Sequence, residues 1–564
     1  MGVSRSRSRS AEAEPATWSR LHARVFAAVV FVLALIPWTV KHWPSQDGQN
    51  HLAVAHVLMH YGDPGSPFPQ YVAIQTGFRP SAALYEILCF AGRFVPLQTA
   101  EKALVSLAIV LLPSALLLFV RRALPRRSVN VMLALPFVLG WAFGMGFLNF
   151  QLGMGLGVVT LALGWEPPSP DGSPARITWR HAVASAAYFL CVWCHPVVAL
   201  ITGLGLVLLE WRNLVEPRQW ARLLIVVGPA AVFLVGSYLA ADVTAQSSAA
   251  PTETYFADPL TVVGAAIEYN LAYTPFELVP RLVAVAILLR FAYRSIRANS
   301  LVGMQPEAAV GRLFLVFLLL YCVTPGAFRG WFYSSTRFLL YAWLLLPAVA
   351  EIPARVGRRL LVLGPALAGV VSAIQWPFIH HVSRQMQDIL DVGASLPRGA
   401  KLIPMDFTVS VLGPQPLGHA WAELVVDKDV VASQLFAAGK PRMGGERFRT
   451  LSFYPGLLDI DGGKLPWSTY ETWNDVGRKC KDPSSPERWF VHIPGTCEEL
   501  LAQRKQTLEA VIDRYDYVLM LEPPPYGRDL IAPHLRLVSH VGSAWMYAVV
   551  PADPATRSGS NPPR

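Results

Sequence analysis

Apolar runs long enough to cross a bilayer recur along the first two thirds of the chain. A spanning helix needs about 20 such residues. The runs fall at Val25–Val40, Ala100–Val120, Val131–Gly144, Phe147–Trp165, His181–Trp193 and Val197–Trp211, and then at Leu223–Ala241, Phe276–Leu289, Leu313–Thr324, Phe338–Ala350 and Leu360–Phe378. They predict about eleven spans. Pro80–Pro96 is also apolar, but Glu86 and Arg93 interrupt it, which suits a helix lying along the membrane surface. After Phe378 the pattern changes. Ala400–Met405 and Tyr517–Leu521 read as strands, Pro486–Tyr515 contains a helical stretch, and Leu535–His540 with Ala544–Val550 alternate like a terminal hairpin. The expected fold class is a polytopic α-helical membrane protein with a C-terminal extracytoplasmic α/β domain. The divisions are a disordered cytoplasmic tail (1–24), a transmembrane domain (25–379) with long outer loops at 41–99 and 242–275, the α/β domain (380–552) and a disordered tail (553–564).

Charge fixes the orientation. Only 15% of residues are charged against 53% hydrophobic, and the net charge is +10. From Arg384 onward the chain is nearly neutral, so the basic excess lies between the apolar runs. That placement argues against nucleic-acid binding, which wants the basic residues clustered on a folded domain. With the N-terminus inside and the spans alternating, 21 Lys and Arg residues of the membrane part face inward and 7 outward, the bias expected of a cytoplasmic N-terminus in an inner (plasma) membrane. The first run is preceded by Arg residues like a signal peptide, but Trp38, Lys41, His42 and Trp43 follow it where small residues would mark cleavage, so it reads as an uncleaved span. Cys480 and Cys497 both fall in the outer domain, where an oxidising compartment permits a disulfide; two free thiols is the alternative. Cys191 and Cys194 lack the further Cys or His residues that a metal site needs.

The stretch Ser45-Gln46-Asp47-Gly48-Gln49-Asn50-His51 follows the first span. Asp47 stands where a helix to Tyr61 would start, so it could be an N-cap. Its company with His51 and His56 at a membrane surface points instead to function. The outward-facing Arg residues are few. Arg337 opens a span at headgroup depth, and Arg329 and Arg79 are the next candidates for binding a phosphate, with snorkelling to bulk lipid as the other role for each. His195, in a tight outer turn, is either a donor-binding group or a buried turn histidine. Glu253 and Asp258, in the second long loop, could hold a sugar or a divalent cation, or simply be solvated. No tight carboxylate cluster demands a metal, so none is expected, although a divalent cation stays open. Asn149 and Gln151 beside Gly153, Gly155 and Gly157 read as helix packing.

These features in order resemble the GT-C superfamily of integral-membrane glycosyltransferases: Asp47 soon after the first span, the surface helix after Arg79-Pro80, a second span opening with Glu101-Lys102 and ending in Arg121-Arg122, and an outer α/β domain after the last span. The resemblance covers most of the chain and identifies no branch. It implies a polyprenyl-phosphate sugar as donor, a membrane-lipid setting, inverting transfer to an acceptor hydroxyl (glycan, lipid or protein) at the outer face, and Asp47 as catalytic base. Two other readings remain: a non-catalytic envelope-assembly protein that keeps the fold, and a lipid or glycan transporter. The clustering of ionisable residues at span ends disfavours the transporter.

Overall fold

The computed structural model describes residues 18–550 apart from 75–78, 168–176, 212–216, 241–255, 257–258, 269, 272, 299–300, 302, 304, 329–330, 409–413, 433–456, 460–475, 477–479, 481–494, 510 and 525–534. The expected C-terminal tail and most of the N-terminal one lie outside these residues. Six stretches of the described residues are helical, long and apolar enough to cross a membrane, and three shorter apolar helices accompany them. Leu107, Val232, Leu319 and Val362 are exposed along these helices, the surface that hydrocarbon covers. The chain is a polytopic α-helical membrane protein with a C-terminal α/β domain.

Helix α1 (Arg20–Leu35) starts before the apolar run. The Ser19 hydroxyl accepts from the His22 backbone N–H while the His22 side chain accepts from Ser19 N–H, and this reciprocal cap fixes the start inside the expected tail. Helices α2 (Gly48–His60) and α3 (Ala83–Ala91) fall in the long segment between the first two spans. At nine residues α3 is too short to span, and it buries Leu84, Tyr85 and Leu88 while exposing Phe90, as a surface-lying helix should. Helix α4 (Leu97–Ala123) is the second span.

The run expected as a third span is not one regular α-helix. It is a 3₁₀ segment, Pro125–Phe137, followed by the single turn α5 (Trp141–Gly144). Buried polar side chains explain the departure. Arg127 donates to the carbonyls of Ala348 and Val349 at 2.9 and 2.7 Å, and Asn130 donates to those of Pro347 and Ala350 at 3.2 and 2.7 Å. Irregular backbone at membrane depth is tolerated where protein encloses it, and this segment is almost wholly buried.

The helices that follow are α6 (Leu148–Gly164), α7 (Trp179–Cys194), α8 (Pro196–Glu210), α9 (Pro217–Ala240), α10 (Pro259–Glu268), α11 (Leu278–Ala298), α12 (Pro306–Val323) and α13 (Ser334–Val349). Helix α10 occupies part of what reads as a loop in the sequence. The last helix of the membrane domain, α14 (Ala354–Val392), is 39 residues long and runs on past the expected domain boundary.

The domain's five-stranded sheet has the order β5-β4-β7-β9-β8. Strand β4 (Lys401–Asp406) pairs in parallel with β5 (Val431–Ala432) and β7 (Tyr517–Leu521), and the hairpin of β8 (Leu535–Val541) and β9 (Ala544–Val549) adds antiparallel to β7. In the segment between the first two spans β1 (Val72–Ile74) pairs antiparallel with β6 (Leu457–Asp459) of the domain, a ladder that stitches the two together. Cys480 and Cys497 form the expected disulfide, at the start of α15 (Cys497–Glu509), and the other four cysteines are free.

One buried network supports the end of the membrane domain that faces the C-terminal domain. Arg281 meets Glu277 at 3.1 Å, both wholly inaccessible, and donates to the Leu139 and Leu271 carbonyls. Glu277 also accepts from Thr274, from Gln375 and from the Tyr273 backbone, and the Tyr273 hydroxyl donates to the Pro44 carbonyl. Arg281→Met strands a buried carboxylate, and we expect it to destabilise the protein by about 3–5 kcal/mol, read as a lower unfolding temperature in detergent.

Candidate active site

The Pro44–His51 segment is positioned by backbone contacts. Gln46 N–H donates to the Gly144 carbonyl at 2.8 Å and Asp47 N–H to that of Met145 at 3.0 Å. The turn works because residue 146 is glycine. It has φ +76°, and a Cβ there would stand 2.5 Å from Gly48 N. From above, the C-terminal domain closes on the same segment, with Gln415 N–H donating to Gln46 Oε1 at 2.9 Å.

Asp47 occupies the N-cap position of α2, but its carboxylate makes no capping bond. It faces His419 of the C-terminal domain, with Nε2 3.5 Å from Oδ1. Asn50 Nδ2 lies 3.1 Å from His419 Nδ1. An amide NH₂ can only donate, so Nδ1 accepts and the neutral ring carries its proton on Nε2, toward Asp47. Burial raises the Asp47 carboxyl to about 7, with a hydrogen bond from Gln46 acting weakly in the other direction. Burial depresses His419 to about 3, helped by nearby His51, and depresses His51 to about 4, so both rings are neutral at pH 7. His51 Nδ1 is 2.9 Å from the Tyr85 hydroxyl of α3. A carboxyl poised at neutral pH among neutral donors is suited to accept a proton.

His195 and Arg337 form a second cluster. His195 joins α7 to α8 and is buried, with its ring 5.5 Å edge-on from Phe150 of α6, and the Arg337 guanidinium stands 5.9 Å from the same phenyl ring. The segment 144–150 thus bears the Asp47 backbone at one end and the Arg337–His195 cluster at the other. Arg79 lies in the turn that leads into α3, partly buried. Arg329, Glu253 and Asp258 lie outside the described residues.

Sequence reading missed His419, Gln98 and Glu423. Glu423 is buried and accepts from Gln98 at 2.9 Å, with His42 Nδ1 3.3 Å away, at the seam of the two domains. No local motif marks these residues. Their partners lie more than 300 positions away, beyond the reach of periodicity or spacing. No group of three or more His, Cys, Asp or Glu side chains among the described residues has the arrangement of a metal site.

Neither a family model nor a curated protein matches the chain. Its architecture is similar to that of ArnT. The crystal structure of ArnT from Cupriavidus metallidurans bound to undecaprenyl phosphate aligns with 96% of this chain and 99% of its own, at 12% identity and a TM-score of 0.49. The apo state of ArnT aligns with 94% and 98%, again at 12% identity and 0.49. The cryo-EM structure of the arabinofuranosyltransferase AftD from Mycobacteria aligns with 96% of this chain but 40% of its own length, at 13% identity and 0.46.

Proposed function

We propose that this chain is a glycosyltransferase of the GT-C superfamily. It moves a sugar from a polyprenyl-phosphate carrier to an acceptor hydroxyl at the outer face of the membrane. One observation carries the reading: the Asp47 carboxyl, released from helix capping and held half-ionised near pH 7, sits under the C-terminal domain at the mouth of the membrane helices. The ordered sequence features after the first span support the same assignment.

The reaction asks three things of the protein. The acceptor oxygen attacks the anomeric carbon as its proton passes to Asp47. The carbon–oxygen bond to the carrier breaks, and its electron pair leaves on the phosphate. A single displacement of this kind inverts the anomeric configuration. The departing phosphate gains negative charge and needs a fixed cation, the role we give Arg337, with His195 beside it. His419 keeps Asp47 aimed: its Nε2–H points at Oδ1.

The test is transfer by purified protein in nanodiscs, supplied with a panel of polyprenyl-phosphate sugars and hydroxyl acceptors. Product from at least one donor is expected. Binding of undecaprenyl phosphate with no transfer from any donor would favour the non-catalytic fold member instead. His419→Ala is expected to lower turnover about tenfold and to move the acidic limb of the pH–rate profile upward, because the ionised carboxylate loses a donor.

A further inference from the structure

A small cavity of about 20 Å³ opens beside Asp47, between the Ser45–His51 segment, α4 and the start of α6. Its polar wall is Ser45, His51, Glu101 and Gln151, its other wall is apolar with the aromatic rings of Trp43 and Phe143 among the aliphatic side chains, and no lysine or arginine lines it. Gln151 is 1% exposed, and both its amide oxygen and nitrogen lack hydrogen-bond partners among the described residues; the buried Ser45 hydroxyl is in the same condition. Buried polar groups in this state are rare and destabilising, and they call for an explanation. Glycine at 48 lets the wall converge, since a Cβ there would stand 2.2 Å from Ser45 Oγ and 2.6 Å from Glu101 Oε1.

We propose that this cavity is a recognition subsite for one hydroxyl-bearing substituent of the donor sugar, read by the Gln151 amide and the Ser45 hydroxyl. The inference rests on the glycosyltransferase reading above and adds a specificity site to it. An amide that both donates and accepts, next to a hydroxyl, matches a sugar hydroxyl, which does the same. A wall without a cation disfavours an anion, so the carrier phosphate belongs elsewhere. The neighbouring residue gives the direction: Phe150 packs against Arg337 and His195, while Gln151 turns into the cavity. The phosphate end and the sugar end of one donor therefore fall on adjacent faces of α6. The volume admits a hydroxyl or hydroxymethyl group and not a ring, so the ring itself lies outside, toward Asp47.

The test compares binding in nanodiscs of bare undecaprenyl phosphate with its glucosyl, mannosyl, galactosyl and arabinofuranosyl forms. At least one sugar-bearing lipid should bind the unmodified protein more tightly than the bare lipid. Gln151→Leu and Ser45→Ala should each weaken that binding about tenfold while leaving bare-lipid affinity within about twofold, and the bare lipid also reports that the variants are folded. The subsite is overturned if both variants keep the sugar-dependent gain, or if no sugar form outbinds the bare lipid. Failure of the bare lipid to bind the unmodified protein would instead remove the glycosyltransferase reading, and the subsite with it.

Discussion

Asp47→Asn is expected to lower sugar transfer by about 10²–10⁴-fold, the usual contribution of a positioned general base, while leaving the protein folded and able to bind carrier lipid. Asn has nearly the same shape and cannot take a proton. A pH profile separates this outcome from a structural one. In the unmodified protein the base must be ionised, so turnover should fall as pH drops through about 7, the value to which burial raises Asp47. That limb should vanish in the variant's residual activity. Stability should move the other way. The folded carboxyl holds its proton to higher pH than the unfolded one, so ionisation destabilises the folded state progressively from about pH 4 to about pH 7. Asp47→Asn removes that burden, so its unfolding temperature should exceed that of the unmodified protein at pH 8 and match it near pH 4. Unchanged transfer in a folded Asp47→Asn protein would eliminate Asp47 as the base.

The second large effect belongs to Arg337→Met. Removing one fixed donor to a developing oxyanion costs about 10²–10³-fold in turnover, and the loss should fall on the rate more than on donor affinity. Arg337→Lys should recover only part, because an ammonium supplies charge without the planar fork that grips two phosphate oxygens. If Arg337 merely snorkels to headgroups, Met at this position would leave transfer unchanged, since any surface cation serves that purpose. Phe150, against which Arg337 and His195 both pack, keeps the two groups in register with the Asp47 end of the same segment.

The parts of this molecule that were legible in the sequence are those whose cause is local. Periodic apolar runs mark helices, alternation marks β8 and β9, and a polar cluster after a span marks Asp47. The start of α1 was misplaced because a cap, Ser19 with His22, outweighs the boundary of the apolar run. The 3₁₀ form of the run at 125–137 is not legible because its apolar composition looks like that of any span, while Arg127 and Asn130 find their acceptors more than 200 positions further along. His419 was invisible for the same reason: nothing near it in sequence announces a carboxylate partner in the first loop. Gln151 reads in the sequence as helix packing with the glycines that follow it, and only the three-dimensional arrangement reveals a buried amide with no partner among the described residues.

Helix α14 has a mechanical consequence. Its 39 residues make a rod about 58 Å long at 1.5 Å per residue, roughly twice the hydrocarbon thickness. The far end is fastened to the sheet: Ser539 donates to the Val392 carbonyl at 2.8 Å, and Gln385 to Glu522 at 3.3 Å. The cap over Asp47 is thus mounted on a mast and does not hang from a slack tether. Lifting it requires the mast to lean within the bilayer or to flex at Pro377, where the ring interrupts the helix ladder. Leaning is resisted by the surrounding lipid, so on the proposed reading movement of the cap would be coupled to bilayer thickness and stiffness.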